Sequence, residues 1–120
     1  MRRITSHKVE GVNEALEVST NDSRGPGGAP TWYVVRGDRR GGLACDLDFQ
    51  AGNPSEVGVN GLTNEALLAV VIDRLQGFQS GPFSCRENAL ALTHLEDAMH
   101  WLQHRTRARV ARGVEGQQTK

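Results

Sequence analysis

A chain of 120 residues with 38% hydrophobic content and 14 glycines amounts to one domain, or one domain with a small appendage, and its core is thin enough that oligomerisation would help it. Fourteen basic residues against fourteen acidic ones give zero formal charge, which argues against a general polyanion binder. No apolar run follows Met1-Arg2-Arg3 and no segment approaches membrane-spanning length, so the expectation is a protein neither exported nor embedded in a membrane, with Cys45 and Cys85 as reduced thiols.

Along the chain, residues 4–20 mix β-branched and polar side chains around a turn signal at Gly11-Val12-Asn13, which predicts two short strands or one bent strand. Residues 21–30 are too rich in Gly and Pro for any regular element. Residues 31–36 have the β-branched and aromatic content of a strand, and 37–42 form a hairpin-like turn. In 43–50 apolar and polar residues alternate, with Leu43, Cys45, Leu47 and Phe49 on one face and Asp46 and Asp48 on the other. A second Gly/Pro stretch, 51–61, includes a short extended piece at 56–59.

The periodicity then becomes helical. Thr63 is the expected N-cap and Glu65 complements the dipole in the first turn. Leu67, Leu68, Val71, Ile72, Leu75 and Phe78 follow at three- and four-residue spacing, giving a helix over 63–79. After a turn at Ser80-Gly81-Pro82-Phe83, Ser84 and Glu87 have the spacing of a capping box, and Gly113 supplies a left-handed stop. A helix from Ser84 to Arg112 would be about 43 Å long, too long for the shorter helix to cover. The fold class expected is therefore α+β: a small N-terminal antiparallel β-sheet, then a C-terminal α-helical hairpin with a long basic second helix. The expected divisions are a β-rich part over 1–60, the hairpin over 61–113 and a flexible tail over 114–120.

On the long helix, Leu92, Leu95, Met99, Leu102 and Val110 fall in one sector, with Ala91 and Ala98 at its edge and Asn88 pointing into it. Trp101 and Leu90 make a second apolar flank, while Arg107, His100 and His104 point to water. Arg105 and Arg109, four apart, flank the first sector. Such a pair is either a solvated edge with snorkelling stems, favoured by the helix dipole, or an anion site offering bidentate guanidinium groups. Asn88 and Arg105 are 17 residues apart, roughly 25 Å along the axis, so a pocket using both has to be shared between two chains with antiparallel long helices.

Rival chemistries are poorly supported. Asp46 and Asp48 share a strand face, and His100 and His104 have the spacing of a two-histidine metal pair. There is no accompanying Glu motif or clear third ligand. The GPGG at Gly25–Gly28 lacks the Lys-Ser/Thr of a phosphate-cradling loop, and no nucleophile motif occurs. Catalysis, metal and cofactor are therefore not expected. The arginines near the C-terminus are spread around the helix, which makes a poor reader of DNA.

The words TNEALL, GFQSGPF, CRENALALT, WLQ and ARGVEG, spread over about half the chain, resemble the helical-hairpin domain shared by phage Thoeris anti-defence protein one and anti-CBASS protein two. The upstream HKVEGVNEAL, the Gly-rich loop and the strands are similar to the Thoeris branch, since the anti-CBASS member is shorter and lacks that sheet. The resemblance implies a non-enzymatic sponge in the cytoplasm of the infected host. It would bind a glyco-cyclic ADP-ribose made from NAD by a TIR enzyme and hold it unaltered, keeping the Thoeris effector off. The alternative implied is an anti-CBASS sponge for cyclic di- or trinucleotides. The assembly implied is a homodimer, or a hexamer built as a trimer of dimers. Phe78 would stack on an adenine and Asn88 would hydrogen-bond the ligand from the same subunit. Arg105 and Arg109 of the partner would hold phosphates and stack on a base. On helical spacing alone, Phe78 is better read as the last core residue of the first helix.

Overall fold

The computed structural model describes residues 1–11, 14–37 and 42–113. The chain divides into two compact units, Met1–Leu62 and Thr63–Lys120.

The first unit is a four-stranded antiparallel meander, with β1 (Arg2–Ile4), β2 (Glu17–Thr20), β3 (Trp32–Gly37) and β4 (Leu43–Asp48) adjacent in chain order. The stretch expected to hold one or two strands supplies two, set apart and with the first beginning earlier, at Arg2. The turn expected at Gly11-Val12-Asn13 and the centre of that at 37–42 lie outside the described residues. Paired residues share a face, so the register lines up Ile4, Val18, Val35 and Cys45 on one side and Arg3, Ser19, Val34 and Asp46 on the other. Val34, 1% exposed, is the one fully buried hydrophobic side chain among the described residues, so this sheet is as thinly cored as the composition implied. The alternation expected in β4 holds for Leu43 and Leu47, half-buried, and for Asp46 and Asp48, exposed. Cys45, on the same face as Leu43 and Leu47, is nevertheless exposed.

The two Gly/Pro stretches are more ordered than their composition suggests. At 21–30 the loop is a pinned tip. Thr20 Oγ1, fully buried, donates to the Trp32 carbonyl (2.7 Å) and accepts from Asp22 N (3.1 Å), while Arg24 Nη1 donates to Gly28 O (2.7 Å). Asp22 has φ 60° and accepts from both Arg2 (3.1 Å) and Arg24 (3.0 Å). These guanidinium donors, Arg2 first, hold its carboxyl below the usual range against a smaller opposing effect of desolvation.

At 51–61 the extended piece expected over 56–59 is corrected, since Glu56 and Val57 end a short helix, α1 (Pro54–Val57). Its N-cap Asn53 accepts from Ser55 N (3.0 Å), Pro54 occupies the first helical position, and Gly58 N closes back on Pro54 O (2.9 Å). The chain then returns along the end of β4, with Leu62 N donating to Asp48 O and Gln50 N to Leu62 O, both 2.8 Å. Only glycine fits at Gly61, where a Cβ would lie 2.4 Å from the backbone carbon of Phe49.

The second unit is a helical hairpin, α2 (Asn64–Gln79) and α3 (Arg86–Ala111), packed on one another. Thr63 caps α2 as expected, accepting from Ala66 N at 3.1 Å. The α3 cap is corrected from Ser84 to Cys85. Ser84 N is spent in the turn on Gly81 O (3.3 Å), and the Cys85 thiol accepts from Asn88 N at 3.4 Å. Glu87 is then the second helical residue, one short of capping-box position. Gly113, φ 72°, follows the C-cap Arg112 as the stop signal required.

At 1.5 Å per residue, α2 is about 24 Å long and α3 about 39 Å. Leu67, Leu68, Ile72 and Leu75 face Leu92, Leu95, Met99 and Leu102, and all are half-buried; α2 contains no fully buried residue. Past Leu102, α3 outruns α2. Val110, expected in the apolar sector, is therefore corrected to exposed, at 61%.

Candidate functional site

The hairpin has a built elbow and a cationic far end. At the elbow, Ser80 N closes α2 on Gln76 O (3.1 Å), and Gln79 Oε1 reaches across to accept from Cys85 N (3.1 Å), fixing the angle between the helices. Phe78 therefore stands at the end of α2 with its ring 6.5 Å from that of Phe83 and perpendicular to it. Phe78 is 36% exposed and Phe83 71%. Asn88, in the first turn of α3, is half-buried and donates from Nδ2 to the Phe83 carbonyl at 3.5 Å. That bond uses one of its two amide N–H donors and leaves Oδ1 available to a hydrogen-bond donor. On the other side of the ring system, Arg74 places its guanidinium carbon over Phe78, 5.2 Å from the centroid.

Phe78 and Asn88 are thus brought to one place, with Phe83 between them. Arg105 and Arg109 are not. Helix α3 runs unbroken from Arg86 to Ala111, which sets Arg105 about 25 Å and Arg109 about 32 Å along the axis from Asn88. The two arginines also differ in kind. Arg105 and Arg107 are exposed, whereas Arg109 is buried, only 4% exposed. Helical position placed both at the edge of the apolar sector and could not separate them.

The remaining candidates stay scattered. His100, Trp101 and His104 stack along the outside of α3, with His100 and His104 rings 6.4 Å apart and Trp101 65% exposed. Among the described residues no three His, Cys, Asp or Glu side chains converge as a metal site would require. Cys45 and Cys85 are free and exposed. No helix of the described residues is long and apolar enough to cross a membrane. Two elbow residues went unnoticed in the sequence, Phe83 and Arg74. The second was signalled by its position one turn before Phe78, where side chains four apart meet.

The segment holding this elbow and the far end is a known domain: residues 45–107 match the family described as Acb2/Tad1, hairpin domain. The chain belongs to the Acb2/Tad1 hairpin family. The match begins in β4 and ends in the arginine-rich overhang of α3, so it takes in Phe78, Asn88 and Arg105 and stops short of Arg109. The chain is also similar to a protein of Bacillus phage SBSphiJ7 named Thoeris anti-defense 1, with 50% identity over 96 residues, which is 80% of this chain and 66% of that relative. That alignment extends beyond the hairpin into the sheet, where the Thoeris branch was expected to be matched.

Proposed function

We propose that this protein is a phage anti-defence sponge that binds a TIR-generated glyco-cyclic ADP-ribose and holds it chemically unaltered, keeping the Thoeris effector inactive in the infected cell. The observation that carries this reading is the unbroken α3, which puts an aromatic-amide elbow and a guanidinium end on one rod, too far apart for one small ligand. A second chain with its α3 antiparallel brings its Arg105 to the elbow of the first. The midpoint of such a pair falls at Glu96–Asp97. The exposed Leu90 (43%) and Trp101 (65%) supply apolar surface for it to cover. Each homodimer then carries two equivalent sites.

In each site Phe78 stacks on the adenine, Asn88 Oδ1 accepts from the ligand, and the exposed Arg105 of the second chain holds the pyrophosphate, while Arg109, 4% exposed, stays buried in its own chain. Stacking contributes about 1–3 kcal/mol per base, and each charge-assisted bond about 1.5–3 kcal/mol. A few such contacts in a preorganised pocket reach nanomolar affinity, about −12 kcal/mol, after the entropic cost. Nothing in this set is a nucleophile or a general acid-base pair, in keeping with sequestration without turnover. The family name and the phage relative support an anti-defence role, and the likeness over the sheet supports the Thoeris branch.

Calorimetry of Phe78→Ala, Asn88→Ala and Arg105→Ala against glyco-cyclic ADP-ribose tests the assignment. Each variant is expected to bind at least about tenfold more weakly. Undiminished binding by all three would remove the pocket. Failure of the unmodified protein to bind this ligand, with tight binding of a cyclic di- or trinucleotide instead, would move the function to the anti-CBASS class.

A further inference from the structure

Arg74 and Phe78 are one helical turn apart on α2, and the guanidinium lies over the ring at a distance where the ring quadrupole attracts it. None of the ion pairs among the described residues includes Arg74, and its side chain is exposed. A guanidinium and a purine cannot stack on the same ring face at once. Of the two groups that border Phe78, Arg74 is the one whose charge a phosphate can engage, and an exposed arginine needs only a rotamer change to leave the ring.

We propose that Arg74 sets the ligand specificity of the elbow: it occupies the Phe78 face in the empty protein, gives that face up to the incoming base, and transfers its guanidinium to the ligand's phosphate. This rests on the reading that Phe78 stacks on a base. A nucleoside without phosphate has to displace Arg74 and offers it nothing in return. A ligand with a pyrophosphate displaces the same contact and replaces it with a stronger, bidentate one. The elbow therefore discriminates by phosphate within a single chain, separately from the arginines at the far end of α3.

The test is the affinity of the full chain and of Arg74→Gln for two probes, adenosine and glyco-cyclic ADP-ribose, by calorimetry or ligand-observed NMR. Removing the guanidinium is expected to tighten adenosine about 2- to 5-fold, the equivalent of an exposed cation–π contact. It is expected to weaken glyco-cyclic ADP-ribose about tenfold or more, the equivalent of a charge-assisted bond. Arg74→Lys, which keeps the charge without the planar fork, is expected to fall between. The proposal requires the ratio of adenosine affinity to glyco-cyclic ADP-ribose affinity to rise in Arg74→Gln. A ratio unchanged or lowered overturns it. Phe78→Ala separates the two levels of the argument. If it binds both probes as the unmodified chain does, the stacking reading itself has failed. If it weakens both while Arg74→Gln leaves the ratio unmoved, only the role of Arg74 has failed.

Discussion

A site divided between two chains makes a prediction that no site within one chain can imitate. One variant carries a damaged elbow, Phe78→Ala with Asn88→Ala, and a second carries a damaged far end, Arg105→Ala. The first loses a stack and a hydrogen bond, together about 2–4 kcal/mol, or roughly 30- to 1,000-fold in affinity. The second loses a charge-assisted contact, about 1.5–3 kcal/mol. Because α3 holds Asn88 and Arg105 about 25 Å apart, each site in the proposed homodimer takes its elbow from one chain and its arginine from the other. In a mixed dimer one site then receives both lesions and the other receives neither. Random exchange makes about half the dimers mixed, so about one quarter of all sites recover full affinity. The two variants are co-refolded, mass spectrometry verifies that mixed dimers have formed, and calorimetry counts the tight sites. Mixed dimers with no tight site would refute the shared-site reasoning, whatever the single variants do.

Arg105→Ala and Arg109→Ala should separate in a thermal melt. The exposed Arg105 is expected to cost less than about 0.5 kcal/mol, whereas the buried Arg109 should cost about 1–3 kcal/mol and lower the midpoint by roughly 4–12 °C. Equal midpoints would contradict the burial. Gly61→Ala forces a Cβ into the Phe49 backbone and is expected to destabilise the fold by about 1–3 kcal/mol in a urea titration; an unchanged midpoint would mean that the chain does not return along β4 as described. The Asp22 carboxyl is held below its ordinary value of 3.8 by Arg2 and Arg24, so its stabilising contribution is complete above that pH and is lost as pH falls through the lower, folded-state value. Asp22→Asn keeps a residue type that tolerates φ 60° and removes the charge. Its stability should fall less steeply than that of the unmodified protein below about pH 4, and parallel acid-unfolding curves would argue against the ion pairs.

What was legible in the sequence is what local chemistry determines. Thr63 before an apolar periodicity and Gly113 after one bound the hairpin, and the alternation of Leu43, Leu47, Asp46 and Asp48 marks a strand with one apolar face. Cys85 escaped because a thiol is a weak acceptor, and Ser84 beside it offered a better-known capping pattern. Asn53-Pro54 is a sound helix start, but the density of Gly and Pro around it reads as loop. The clamp on Asp22 joins residues 20 apart and leaves no local pattern. Phe78 and Asn88 were found through family resemblance, since an aromatic at helical spacing usually reads as core. Its partial exposure and its contact with Phe83 depend on the angle of the elbow, which Gln79 and Cys85 fix, whereas its contact with Arg74 is local to α2. The burial of Arg109 is likewise tertiary, because it lies past the end of α2, where helical periodicity no longer says what covers a side chain.

The central claim is capture without chemistry, and one measurement tests it most directly. The purified protein is saturated with glyco-cyclic ADP-ribose, freed of excess ligand, held at 37 °C and then heat-denatured, and the released ligand is identified by chromatography and mass. The account predicts tight binding at one ligand per chain, with the same molecule recovered in full. A ligand recovered opened, hydrolysed or isomerised would make the protein an enzyme, and no retained ligand would contradict the account.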